Sequence, residues 1–148
     1  MLTSKKVDTI LLGSNGALLS LSLLLLRLAI GIILFVVGSG KVLGWFGGYG
    51  LNTTIQFYVK MGIAVPLAYL SCFTEFIGGL LLALGLFTRL AAFAVAINMV
   101  VATITMLPNG FLGPNGASYP FTFFIIAIAV LLAGPLDYSV DSALFKRD

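Results

Sequence analysis

The chain has 148 residues, of which 60% are hydrophobic and only 9% are charged, and its net charge is +3. Soluble domains carry about 25% charged residues, so a chain of this composition is predicted to be a membrane protein. Histidine is absent and Cys72 is the single cysteine, which excludes an intramolecular disulfide and removes the commonest metal and haem ligands. The basic residues are scattered, so no nucleic-acid partner is expected.

Four apolar segments are long enough to cross a hydrocarbon core of about 30 Å as helices. They cover residues 17–43, 64–86, 90–107 and 119–134, and Gly, Pro and Asn concentrate between them. A more polar connector, residues 51–61, is predicted to be a short interfacial helix, with a lid over a cavity as the alternative. The predicted fold is an all-α integral membrane four-helix bundle, a single transmembrane domain over residues 1–148.

The placement of basic residues predicts the orientation of the bundle. Five of them fall on one side of the membrane: Lys5, Lys6, Arg89, Lys146 and Arg147. Only Lys41 and Lys60 fall on the other side. Because Lys and Arg are enriched in cytoplasmic loops, both termini are predicted to face the cytoplasm.

Two charged residues lie deep inside predicted spans. Glu75 is the only acid between Asp8 and Asp137, and Arg27 lies in the first span. Each is about 15 Å from the cytoplasmic end of its helix, so the two are predicted to form an ion pair. The pair is either a structural clamp between two helices or part of a ligand or proton site.

Lys41 lies fourteen residues after Arg27, which places both on nearly the same helix face. It either extends to the outer surface or guards the outer mouth of an interior polar pocket. Two cations facing one acid suit an anionic or quinone-like headgroup. We therefore predict a quinone or lipid near Arg27, Lys41 and Glu75, under the connector.

Small residues in the spans are predicted to mediate helix packing, because they let helix backbones approach closely. These residues are Gly31, Gly38, Gly78 and Gly79. Cys72 is expected to be a packed, inert thiol. Since no nucleophile–base pair or metal-ligand cluster is found, no catalytic residue and no metal site are predicted.

Three stretches together resemble the DoxX family. They are "LLLRLAIGIILFVVGSGKVLGWFG" in the first span, "EFIGGLLLALGLFTRLAAF" at 75–93 and "LLAGPLDYSVD" at 131–141. The first carries the family's buried Arg and Gly-x-x-Lys, the second its Glu-x-x-Gly-Gly and Gly-x-x-Thr-Arg, and the third its Gly-Pro-x-x-x-Ser-x-Asp. The resemblance extends over about residues 20–142.

The resemblance implies a four-helix protein of the bacterial inner membrane. Family members are linked to thiosulfate:quinone oxidoreductase subunits and to thiol-stress membrane complexes. The family's recurring positions are occupied here by Arg27, Lys41, Glu75, Gly79 and Arg89. This chain departs from many members in having Ser118-Tyr119-Pro120 where they have an acid before the fourth helix, and in lacking their His.

Three functions fit these observations. The first is a small non-catalytic subunit of a larger membrane redox or energy-converting complex. The second is a quinone-linked oxidoreductase subunit, with Arg27 and Glu75 flanking the quinone. The third is a binder or carrier of a lipid or a small acid. The expected partners are membrane lipids and other membrane-protein subunits, and no metal or covalent cofactor is expected.

Overall fold

A computed structural model describes residues 16–145. All of the regular secondary structure in these residues is helical. Six α-helices are found: α1 (Gly16–Leu43), α2 (Gly50–Lys60), α3 (Val65–Leu84), α4 (Thr88–Met106), α5 (Ser118–Ala133) and α6 (Val140–Leu144). Helices α1, α3, α4 and α5 end within two residues of the four predicted apolar segments, and α2 occupies the connector. Lys5, Lys6, Lys146 and Arg147, on which the predicted orientation largely depends, lie outside the described residues.

The helices begin and end at residues whose backbone chemistry favours a break. Helix α1 stops before Gly44 and α3 before Gly85, and both glycines adopt left-handed conformations, with φ of 74° and 70°. Pro66 lies in the first turn of α3, where its missing N–H costs no hydrogen bond. Pro108 comes two residues after the end of α4. The turns therefore follow from sequence chemistry.

Helices α1 and α3 form an antiparallel pair with closely spaced backbones. A Cβ atom added to Gly31 would lie 2.5 Å from the Ala83 nitrogen, and one added to Gly79 would lie 2.5 Å from the Phe35 nitrogen. Gly38 lies equally close to the backbone of α3, whereas Gly78 faces the Val95 side chain of α4. These glycines thus set the α1–α3 register, because any larger side chain at their positions would push the two helices apart.

The remaining helices pack in chain order, α3 against α4, α4 against α5, and α5 back against α1. Their shared core contains Ile30, Leu34, Leu82, Val95, Met99, Phe123 and Val130. Helix α2 packs against α1 and α3 at one end of these helices, where Ile55 meets Ala68 and Cys72. We call this end the α2 end.

Apolar side chains also cover the outside of the molecule. Helices α1 and α3, and the stretch Thr88–Asn109 that contains α4, are each long and apolar enough to span a membrane. Helix α5 is equally apolar but has only 16 residues. Large exposed side chains such as Leu25, Leu70 and Leu132 point away from the core. Lipid is the solvent that such a surface requires, and the chain is a membrane protein.

Candidate functional site

A buried ion pair lies at the α2 end. Lys41 is in the last turn of α1, and its Nζ lies 2.6 Å from Oε2 of Glu75, which is in the middle of α3. The Glu75 side chain is 6% exposed and that of Lys41 is 24% exposed. Two opposite charges at this distance in a poorly solvated site stabilise each other, which removes most of the cost of burying either one.

Tyr58 and Asn98 extend the ion pair into a cluster of four side chains. Lys41 Nζ also donates to the hydroxyl of Tyr58 at 2.8 Å, and Asn98 Nδ2 donates to Oε1 of Glu75 at 3.4 Å. The four residues come from four different helices: Lys41 from α1, Tyr58 from α2, Glu75 from α3 and Asn98 from α4. Because Lys41 is the donor, the Tyr58 hydroxyl keeps its own proton for another acceptor. Burial raises the pKa of Tyr58, so this hydroxyl is protonated at neutral pH.

A groove of about 640 Å³ runs between α3 and α4 beside this cluster. Its walls are mainly apolar and include Leu67, Leu70, Phe93, Ile97 and Val101. Tyr58 and Asn98 line it as well, together with Ser71 and Thr74. The groove therefore combines mainly apolar walls with a few polar residues, among them Tyr58 and Asn98. Its size falls within the usual range for small-molecule sites.

A second cavity, of about 230 Å³, is lined by Lys41. Gly40, Thr54 and the turn from Trp45 to Tyr49 complete its lining. Gly40 and Lys41 belong to the last turn of α1, Thr54 belongs to α2, and Trp45 and Tyr49 in the turn between them are exposed. We call this cavity the cup.

The structure corrects the predicted pairing of Arg27 with Glu75. Glu75 is paired with Lys41, and Arg27 instead donates to backbone carbonyls beyond α5, from Nη1 to Pro135 at 3.1 Å and from Nη2 to Tyr138. Arg27 is 3% exposed, and the 640 Å³ groove touches neither it, nor Lys41, nor Glu75. Arg27 therefore belongs to a different part of the molecule from the proposed ligand site.

The α1–α3 register explains the difference. The predicted pairing matched the ends of the first two spans, but α1 has 28 residues and α3 only 20. The glycine contacts place Gly38 against Phe76, so Arg27 lies beside Gly85. Gly85 is ten residues after Glu75, or about 15 Å along the helix. Lys41, near the other end of α1, is the cation that reaches Glu75.

Arg27 is part of a second polar group, which we call the clasp: Arg27, Gly85, Thr88, Ser139 and Asp141. The carboxylate of Asp141 accepts hydrogen bonds from the backbone nitrogens of Phe87 at 2.7 Å and Thr88 at 2.8 Å. Burial alone would raise the pKa of Asp141, but these backbone donors and the charge of Arg27 hold it below its usual value. Asp141 thus caps the first turn of α4 from a distant part of the chain.

Asp141 and Tyr58 were not singled out as site residues from the sequence. Asp141 lies in the closing "GPLDYSVD" motif, and that motif is the sequence signal that could have found it. Tyr58 lies in the connector, which was predicted only as an interfacial helix or a lid. Its hydrogen bond with Lys41 depends on how α2 folds back over α1 and α3, which no local pattern encodes.

Two further residues from the sequence analysis are placed by the structure. Cys72 is fully buried one turn before Glu75, and it packs with Ile55 and Ala68. Arg89 lies against Gly134, where an added Cβ would be 3.0 Å from its Nε. Within residues 16–145, no group of three or more His, Cys, Asp or Glu side chains could hold a metal ion.

Comparison with known proteins identifies the class. The DoxX family model matches residues 22–108. The chain is also 34% identical over 124 residues to the Bacillus subtilis (strain 168) protein named "Putative oxidoreductase CatD", a match that covers 83% of this chain and 87% of that protein. No solved structure matches the chain significantly. The chain belongs to the DoxX family of membrane proteins.

The family motifs fall into two separate places in the fold. The Lys of Gly-x-x-Lys and the Glu of Glu-x-x-Gly-Gly meet as Lys41 and Glu75. The buried Arg, the Gly-x-x-Thr-Arg turn and the closing Ser-x-Asp meet in the clasp. The clasp forms hydrogen bonds with backbone at helix ends, whereas the Lys41–Glu75 cluster adjoins two cavities. The Lys41–Glu75 cluster is therefore the candidate functional site.

Proposed function

We propose that this chain is a small membrane subunit of a redox complex and that it holds a quinone in the α3–α4 groove. The observation that carries the proposal is an apolar groove that ends at hydrogen-bonding groups backed by a buried ion pair. The oxidoreductase in the relative's name is consistent with a redox setting.

A quinone matches the chemistry of this groove. Its isoprenoid tail would lie against apolar walls such as Ile97 and Val101, and a ring carbonyl would accept the free proton of Tyr58. Asn98 offers an amide to the same headgroup, since only one of its N–H groups is used by Glu75. Lys41 and Glu75 do not line the groove and would act through Tyr58 and Asn98.

A membrane lipid is the second candidate for the same groove, because an acyl chain would satisfy its apolar walls equally well. A phosphate headgroup, however, prefers cationic donors, and Lys41 is already neutralised by Glu75. The neutral donors that line the groove fit a quinone carbonyl better.

We further propose that α5 spans the membrane with α1, α3 and α4, making a four-helix transmembrane bundle in a bacterial inner membrane. At 16 residues α5 is about 24 Å long, and the polar turns beside it could lie in the interface. Its packing between α4 and α1 supports this placement. The exposed apolar faces would contact lipid and neighbouring subunits.

The test is to identify what the groove holds in native membranes. The protein would be extracted with its surrounding lipid in polymer nanodiscs, and bound quinones and lipids would be quantified by mass spectrometry. We expect close to one quinone per chain in the wild type.

Substitution of groove residues makes this measurement specific. Ala94 lines the groove, so Ala94→Trp should fill it and abolish retention of the quinone. Ala29 is exposed on α1, so Ala29→Trp adds the same bulk elsewhere and should have no effect. A phospholipid whose amount per chain falls in Ala94→Trp but not in Ala29→Trp, with no such change for quinone, would favour the lipid binder. If the amount of quinone per chain is the same in Ala94→Trp as in the wild type, the quinone proposal is wrong.

A further inference from the structure

Lys41 is shared between the two cavities at the α2 end. It lines the cup directly, and its Nζ donates at 2.8 Å to the hydroxyl of Tyr58, a residue that lines the groove. The cup is bordered by the surface turn after α1, whereas the groove lies between two apolar helices. A volume of 230 Å³ is enough for several water molecules, at about 30 Å³ each.

We infer that Lys41 and Tyr58 form a proton relay from water in the cup to the ligand in the groove. This inference rests on the proposed function, since it assigns one of the quinone's protons a route. Reduction of a quinone requires two electrons and two protons. The electrons would come from a reduced protein partner in the membrane. The relay would supply the proton for the ring oxygen that contacts Tyr58, and the other ring oxygen would take its proton from water as the reduced quinone leaves the groove.

Each passage of a proton through the relay leaves all atoms and charges balanced. The O–H bond of Tyr58 breaks as an O–H bond forms on the reduced quinone oxygen. An N–H bond of Lys41 then breaks, and its proton restores the Tyr58 hydroxyl. Water in the cup returns a proton to Lys41 and is itself replenished from the aqueous phase. Tyr58 is the group that touches the ligand, and Lys41 acts through it.

Glu75 explains how a buried lysine can act in the relay, because its negative charge offsets the cost of keeping the Lys41 ammonium out of water. Its carboxylate lies 2.6 Å from Lys41 Nζ and stabilises the ammonium between passages. Asn98 holds the other carboxylate oxygen, and Cys72 and Tyr119 are the remaining titratable groups nearby. Both cysteine and tyrosine are ordinarily neutral at pH 7, so Glu75 is the charged neighbour that Lys41 faces.

Proton uptake after rapid reduction tests the relay. The protein would be reconstituted with a short-chain ubiquinone in nanodiscs and mixed with reduced methyl viologen, an electron donor that releases no protons when it is oxidised, and a pH indicator would follow proton uptake in a stopped-flow instrument. Tyr58→Phe removes only the hydroxyl and keeps the ion pair. We expect it to slow uptake at least about tenfold, with the rate of each variant compared at the quinone occupancy measured for that variant.

Lys41 is tested by variants that preserve charge balance. Lys41→Met with Glu75→Gln should slow uptake to a similar extent, whereas Lys60→Met removes an exposed lysine on α2 and should leave it unchanged. In Lys41→Ala, methylammonium added to the solution should restore uptake through the cup, which a merely structural role of Lys41 would not predict.

The outcomes separate this inference from the proposed function. If the wild type retains no quinone, both are wrong. If it retains quinone but Tyr58→Phe and the Lys41/Glu75 double variant take up protons as fast as the wild type, the relay alone is overturned.

Discussion

At the residue scale, Arg27 and Lys41 show two ways of burying a cation in one helix. Lys41 is neutralised by a carboxylate at 2.6 Å, whereas Arg27 is held by carbonyl oxygens of Pro135 and Tyr138, with Asp141 nearby. Carbonyl dipoles satisfy the donors of a guanidinium without providing a full opposite charge. The loss of stability on substituting Lys41 should therefore depend strongly on whether Glu75 is present, and the loss on substituting Arg27 should depend on it only weakly.

A double-mutant cycle measures this difference. Lys41→Met or Glu75→Gln alone should destabilise the protein by about 3 kcal/mol, because each leaves a partner buried and unpaired. The double variant should cost much less than the sum, as seen by thermal melting in detergent. Arg27→Met combined with Glu75→Gln is the matched control, and its effects should add within about 0.5 kcal/mol. Strong coupling in the control and none for Lys41 would contradict the observed pairing.

At the element scale, the sequence predicts the helices well but not their register. Hydropathy and turn residues locate α1, α3, α4 and α5 to within two residues, because those features are local. Which residues of α1 and α3 lie side by side depends on backbone contacts at Gly31, Gly38 and Gly79. That information is spread over two helices, so matching their ends placed Arg27 beside Glu75 by mistake.

The clasp is the element-scale feature that ties the end of the described chain to α4. Asp141 accepts from Phe87 and Thr88 at the start of α4, and its own nitrogen donates to the Gly85 carbonyl at 2.9 Å. The N-terminus of a helix leaves backbone N–H groups without hydrogen-bond acceptors, and the Asp141 carboxylate provides acceptors for two of them. The three bonds join the α3–α4 turn to α6.

Asp141→Asn tests the clasp through its pH dependence. Because the pKa of Asp141 is lowered in the folded protein, its stabilisation is complete above the ordinary carboxyl pKa of about 3.9 and is lost as pH falls through the folded value. At pH 7 the variant should therefore lose about 1 kcal/mol of stability.

The difference from the wild type should shrink as the melting pH is lowered towards 3. Asp137→Asn is the control, because within residues 16–145 the Asp137 carboxylate accepts one hydrogen bond, from the Ser20 hydroxyl at 3.0 Å. It should give a smaller loss at pH 7. A pH-independent loss in Asp141→Asn would show that the carboxylate charge is not what caps α4.

At the scale of the whole molecule, the two ends of the bundle differ in construction. One end is closed by the clasp, in which side chains bind backbone. At the α2 end, Lys41 of the buried ion pair lines the cup and donates to Tyr58, which lines the groove. A site that exchanges protons with water and ligand with the bilayer needs access to both, so the orientation of the bundle decides which compartment supplies the protons.

The basic residues predict that the α2 end faces away from the cytoplasm. Arg89 lies in the first turn of α4 at the opposite end. The other basic residues near that end in sequence are Lys5, Lys6, Lys146 and Arg147. Leu112 lies in the α4–α5 loop and is 79% exposed, and Leu144 is 64% exposed in α6. In a Cys72→Ala background, Leu112→Cys should react with a membrane-impermeant maleimide added to intact spheroplasts. Leu144→Cys should react only after the membrane is opened, and labelling of the background without either cysteine should be absent. The reverse pattern would place the cup on the cytoplasmic side and make the cytoplasm the source of the relay's protons.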